Sequence, residues 1–203
     1  MELAARIGLH LEHDGIVGTL RRCIACAKPE VFGLYRLANL PQEPSAASVE
    51  IQRGVDALLR LRAPHSSLPY EYYCERRQGF QCCLCAVVEG QLAGVIWIAK
   101  SPASHFIRLN DEAAEITCLH VLPQFRGRGI AKRLYWNAAA HSLSSGARGV
   151  FAVIAADNHA SRRAAEAVGF KKIAQIRRAA LWGPKFSPNI EEALGRRREA
   201  TAE

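Results

Sequence analysis

The sequence contains no long apolar run. Its longest apolar stretches, Cys82–Val88 and Val150–Ala156, are far too short for a membrane-crossing helix, which needs roughly 20 residues. The chain starts Met1-Glu2-Leu3 and shows no basic region leading into an apolar one, so no secretory signal is expected. There is no internal repeat, which excludes repeat arrays. RNP, zinc-finger and helix-turn-helix signatures are absent, which argues against a nucleic-acid partner. No metal site is expected either. Cys23 and Cys26 have ligand-pair spacing, but no second Cys or His pair follows at zinc-finger distance, and Leu20–Cys26 reads as helix.

The charge is not balanced. Lys and Arg number 27 against 19 Asp and Glu, a formal net charge of +8. Basic residues gather at Arg126/Arg128, Arg162/Arg163, Lys171/Lys172, Arg177/Arg178 and Arg196–Arg198. A polyanionic small ligand accounts for the first three groups, and the last lies in a polar tail. Seven cysteines are present, an odd number, and Cys82, Cys83 and Cys85 fall inside a predicted strand. That placement suits reduced thiols packed as small hydrophobes, so a reducing, cytoplasmic location is expected.

A chain of 203 residues suffices for one well-buried domain. Residues 1–28 read as a helical extension, with Ile16, Leu20, Ile24 and Ala27 on one face. Residues 29–186 form the domain, and 187–203 a polar tail. Within the domain Val31–Leu40 is a predicted strand. Val49–Leu61 is a predicted helix, capped by Ser48, and Tyr70–Gln78 a second helical stretch. Phe80–Val88 and Leu92–Ala99 form a predicted hairpin around Glu89-Gly90-Gln91. Strand Glu112–Val121, helix Gly129–Leu143, strand Gly149–Ala156, helix Asn158–Val168 and strand Lys171–Trp182 follow. This order predicts an α/β (α+β) fold, with a mixed sheet flanked by helices on both faces.

The densest signal is Arg126-Gly127-Arg128-Gly129-Ile130-Ala131, between an apolar strand and an apolar helix. Glycines there let the backbone turn with its N–H groups exposed, and those donors and the helix dipole suit an anion such as a diphosphate. A plain tight strand–helix connection has the same look.

Arg-x-x-Gly-x-Ala at 126–131 is preceded by Val121-Leu122-Pro123 and followed by Asn158-x-x-Ser161 and Gly169-Phe170. This series resembles the GNAT superfamily of acyl-CoA-dependent N-acyltransferases over about residues 80 to 183. The resemblance implies a mostly antiparallel sheet and acetyl-CoA as co-substrate, with no metal. It implies a diphosphate at Arg126, Gly127, Arg128, Gly129, Ile130 and Ala131. The freed backbone of Leu119 and Val121 would bind the pantetheine arm, and Asn158 and Ser161 would meet the cofactor. Asn158 is also a good helix cap in its own right. The partner implied is a small-molecule or sugar amine, with no membrane or nucleic acid, and the chain would be a monomer or homodimer.

Acetyl transfer to an amine needs a base, because an alkyl ammonium has a pKa of about 10.4 and cannot attack. Glu115 is the expected general base. It stands six residues before Val121, and strict alternation puts the two on one face. His120, expected on the opposite face, is the second choice. Where many relatives carry a tyrosine acid, this chain has Ala165, with Tyr135 and His159 as substitutes. That departure leaves open a catalytically weak, acyl-CoA-binding regulatory module.

Overall fold

The computed structural model describes residues 30–44, 49–76, 80, 82–100, 107, 109 and 111–178. The helix expected in 1–28, the Cys23/Cys26 pair, the Ser48 cap, the closing strand beyond Arg178 and the tail 187–203 lie outside those residues. The strands are β1 Glu30–Leu37, β2 Glu50–Arg53, β3 Cys82–Val88, β4 Gln91–Lys100, β5 Ala113–Val121, β6 Gly149–Ala155 and β7 Phe170–Arg178. The helices are α1 Val55–Arg62, α2 Ile130–Ser144 and α3 His159–Ala167. Tyr70–Arg76 and Pro123–Phe125 are 3₁₀ segments.

All seven strands join one sheet in the order β2-β3-β4-β5-β6-β1-β7. Neighbours are antiparallel except β5 and β6, which run parallel. The β3–β4 hairpin turns through Glu89 and Gly90, both at positive φ (51° and 74°), as a two-residue loop between twisted strands requires. The mixed, mostly antiparallel sheet expected from the sequence is the fold that forms.

α2 packs on β3, β4, β5, β6 and α3. Gly94 of β4 lies under it, and a Cβ there would stand 3.2 Å from Leu134 Cδ1 and 2.9 Å from the His120 carbonyl oxygen. α1 and Tyr70–Arg76 cover the other face. Trp97, opposite in parity to Gly94, donates from Nε1 to the Glu71 carbonyl at 2.7 Å. Trp97 is fully buried, so this bond satisfies its one polar atom.

One element departs from the sequence reading. The helix expected over Val49–Leu61 is a strand and a shorter helix. Ile51 pairs with Ala86 and Gln52 with Cys85 of β3, so edge pairing claims the first half. Gly54, at φ 100°, then turns the chain and stands at the N-cap of α1, and its N–H donates to the Cys83 carbonyl at 2.9 Å. Helical spacing belongs only to the second half.

β1 takes a place in the sheet on which the sequence is silent. It lies between β6 and β7, pairing Leu34 with Val153 on one side and Ala174 on the other. Phe32 and Leu34 form a small second core with Ile107, Ala113, Phe151 and Ile176. Tyr35, on the opposite side of the strand, enters the main core.

Candidate functional site

β5 behaves as two strands in one. Its first half, Ala113–Ile116, has β6 beside it as far as Ile116 and Ala152, and from Ala114 it is paired on both edges. From Thr117 onward β4 remains paired and β6 does not. The parallel strands therefore splay, and one edge of Thr117–Val121 faces the gap. Trp97 pairs with Thr117 and Val95 with His120, so Cys118 and Leu119 stand opposite Ile96 alone. This is a β-bulge, and Cys118 adopts φ 49° within it. A bulge bends its strand and increases the local twist, which fits the divergence from β6.

The extra residue also changes which side chains share a face. Glu115 stands beside Ala99, Thr117 beside Trp97 and His120 beside Val95, all of one parity on β4. Val121 stands beside Gly94, on the α2 face. The expectation that Glu115 and Val121 share a face is therefore wrong, because the bulge adds one residue between them. Glu115 shares its face with His120 instead. Glu115 is 0 % exposed and lies in the closed half, flanked by Ala99 and Phe151.

After β5, Leu122 donates its N–H to the Ala93 carbonyl at 2.9 Å, fixing the strand's end. Phe125 and Ile130 are buried on either side of the exposed loop 126–129. Burial of each such side chain contributes about 1.5–3 kcal/mol. Arg126 Nε donates to the Val121 carbonyl at 3.1 Å, and the Arg128 guanidinium lies over the Phe125 ring, 5.7 Å from its centroid. Gly127 and Gly129 have φ of 80° and 76°, and nothing lies within 4 Å of a Cβ at either. Backbone conformation, not crowding, demands glycine here. Gly129 is the N-cap of α2 and supplies no side-chain cap. The open loop thus meets the positive end of a 15-residue helix, with Arg126, Arg128 and Lys132 around it. This arrangement suits an anion.

Asn158 is the N-cap of α3, and its Oδ1 accepts from the Ser161 N–H at 3.1 Å. The capping role expected for it is thus filled. Ser161 Oγ is 2.9 Å from the Tyr135 hydroxyl, and burial pushes that phenol up to about 12, so it stays protonated at neutral pH. Ala165 is packed in the main core, and His159 is exposed.

A group that sequence reasoning missed lies beside His120. Glu71 Oε2 is 3.5 Å from His120 Nδ1. The Tyr72 ring meets the imidazole edge-on at 5.7 Å, and its hydroxyl donates to the His120 carbonyl at 3.5 Å. Burial pushes the Tyr72 phenol up, with the Glu71 carboxylate adding to the effect. No spacing signal in the sequence links Glu71 to a residue so far along the chain.

The family profile described as Acetyltransferase (GNAT) family matches residues 52–170, more than half of the chain. A search of the curated proteins found no match. Among solved structures, the chain resembles an acetyltransferase assigned to the GNAT family from Novosphingobium aromaticivorans. Identity is 17 %, over 74 % of this chain and 63 % of that one, with a TM-score of 0.51. An acetyltransferase from the GNAT family of Colwellia psychrerythraea gives 17 % identity, 79 % and 60 % coverage and a TM-score of 0.52. The chain thus spans less than two thirds of either protein. AAC(6')-Iy, solved with the bisubstrate analog CoA-S-monomethyl-acetylneamine, gives 16 % identity, 69 % and 100 % coverage and a TM-score of 0.50. With a profile match from the end of β2 to the first residue of β7, on a sheet splayed beside an open glycine loop, the chain belongs to the acetyltransferase (GNAT) family.

Proposed function

We propose that this protein transfers an acetyl group from acetyl-CoA to a primary amine of a small molecule or amino sugar. One observation carries the reading: an open loop and helix N-terminus stand at the end of a splayed strand pair. The diphosphate binds the N–H groups of Gly127–Ala131, with Arg126 and Arg128 adding positive charge. The pantetheine arm runs into the splay, where the edge of Thr117–Val121 left by β6 is available to it. Leu119 and Val121 contribute backbone groups, and one N–H there polarises the thioester carbonyl. Asn158 and Ser161 stand where β6 ends and form the opposite wall. AAC(6')-Iy, in complex with its CoA bisubstrate analog, supports the pairing of coenzyme and amine on such a scaffold.

The amine must lose a proton before it attacks. Two groups on the α1 face of β5 can take it: Glu115, the base expected from the sequence, and His120. At Ala165 there is no hydroxyl to protonate the leaving thiolate. A thiol pKa of about 8.5 makes thiolate a tolerable leaving group without one.

Titration calorimetry with acetyl-CoA, followed by turnover on a panel of amines, tests the reading. Binding together with CoA release on at least one amine is the expected result. No binding at millimolar acetyl-CoA overturns it. Binding without turnover on any amine makes the chain an acyl-CoA-binding module instead.

A further inference from the structure

We infer that His120, positioned by the Glu71 carboxylate, is the base that takes the proton of the acceptor amine. The inference rests on the acetyl-transfer reading and assigns its base. Three observations carry it. His120 belongs to the open half of β5, where β6 no longer pairs, whereas Glu115 belongs to the closed half. His120 stands between Leu119 and Val121, the backbone positions proposed for the pantetheine arm. Its Nε2 is buried and has no hydrogen-bond partner among the described residues, while Nδ1 stands 3.5 Å from Glu71 Oε2, a charge-pair contact that is not a hydrogen bond.

A buried polar atom without a partner is costly, and such atoms concentrate where a ligand completes the bonding. The Glu71 carboxylate favours the tautomer with hydrogen on Nδ1. That leaves the Nε2 lone pair as acceptor. Glu71 comes from Tyr70–Arg76, a segment that Trp97 pins to the sheet. Tyr72, next in the segment, grips the His120 carbonyl. The main chains that carry the carboxylate and the imidazole are thus held from two elements, which keeps a base near its orienting group.

The chemistry balances. The ammonium of the acceptor gives one proton to Nε2, and Glu71 stabilises the imidazolium that results. The freed nitrogen lone pair attacks the thioester carbonyl carbon, forming C–N. The tetrahedral adduct then breaks C–S, and the thiolate takes the second nitrogen proton to become CoA thiol. Imidazolium returns its proton to water, and the products are the amide, CoA and one proton. Besides Glu71 and Tyr72, the titratable and charged groups on this side among the described residues include Cys83 and Cys85 on β3, Glu115 on β5, Arg126 after it, Arg62 of α1 and Tyr73, Glu75 and Arg76 of the 3₁₀ segment.

The test is a pH profile of kcat/KM with one amine at saturating acetyl-CoA, for wild type, His120→Asn and Glu71→Gln. His120→Asn is expected to lose about 10²–10⁴ in rate and the acidic limb of the profile, while calorimetric acetyl-CoA affinity holds. Glu71→Gln keeps the side-chain shape and guards against a misfolded His120 variant. Its kcat is expected to fall while acetyl-CoA affinity holds, because the imidazolium formed in the step loses its counter-charge. A purely structural Glu71 would lower stability and leave kcat in place. A wild-type limb in both variants, with rates within about twofold, overturns the inference and leaves the acetyl-transfer reading standing. A wild-type protein that acetylates no amine overturns both.

Discussion

The two halves of β5 make the most instructive contrast in the molecule. Ala114–Ile116 is held on both edges, and its Glu115 is sealed from solvent. Thr117–Val121 is held on one edge, and its His120 side chain keeps 20 % exposure. One inserted residue separates a wall of the core from a lining of the cleft. In the closed half, backbone hydrogen bonding is completed by the sheet. Along the open half, one edge is left for a ligand. A strand can thus contribute both stability and binding, provided the change between them is abrupt.

The largest effect is expected at the loop that the open half leads into. Gly129→Glu introduces a side chain at φ 76° and a negative charge beside the proposed diphosphate. Acetyl-CoA affinity should fall at least about 100-fold, or about 2.7 kcal/mol. Calorimetry reads this, with circular dichroism confirming a folded chain. Unchanged affinity in a folded mutant would place the diphosphate elsewhere and dissolve the functional half of the contrast.

A smaller effect is expected at Gly94, where β4 backs the open half. Gly94→Ala puts a methyl 2.9 Å from the His120 carbonyl oxygen and 3.2 Å from Leu134 Cδ1. The backbone oxygen can yield only by shifting β5. A loss of about 1–3 kcal/mol in unfolding free energy is expected, the usual range for overpacking. A rise in KM for acetyl-CoA should accompany it. Denaturant melts and steady-state kinetics check the two parts, and a neutral result in both would mean that the open half bends freely.

The smallest catalytic effect is expected in the closed half. Glu115→Gln should lower stability by about 1–3 kcal/mol, as altering a buried polar group does, and should leave the acidic limb of kcat/KM where it was. Should the variant instead lose 10²–10⁴ in rate together with that limb, Glu115 would be the base. The roles of the two halves would then be reversed.

The sequence showed much of this plainly, for local reasons. The loop at 126–131, the hairpin at Glu89–Gly90 and the cap at Asn158 each depend on residues within one turn of chain. The apolar run of β6 and the spacing of α2 are equally local. What the sequence concealed depends on distant partners. Glu50–Arg53 is extended because β3 is there to pair with it, and it merges in sequence with a genuine helix. The bulge at Cys118 uses a non-glycine residue at positive φ, so no glycine announces it, and the face of Glu115 was misread in consequence. Glu71 reaches His120 because the 3₁₀ segment is held on the sheet by distant partners, Trp97 and the His120 carbonyl. The backbone part of the site was therefore legible, and its side-chain chemistry only partly so.

The position of β1 has a consequence for biosynthesis. Leu34 pairs with Val153 and with Ala174, so both neighbours of this strand are made only after β2 to β5. At about 5–20 residues per second on the ribosome, β1 waits on the order of 10 s for a strand to join. During that interval Val31, Phe32 and Leu34 have no sheet to cover them. Until Phe170–Arg178 has emerged, one edge of β1 remains a template for any other extended chain. The nascent protein is therefore most vulnerable to aggregation while β2 to β5 are being made, before β6 and β7 can cover β1.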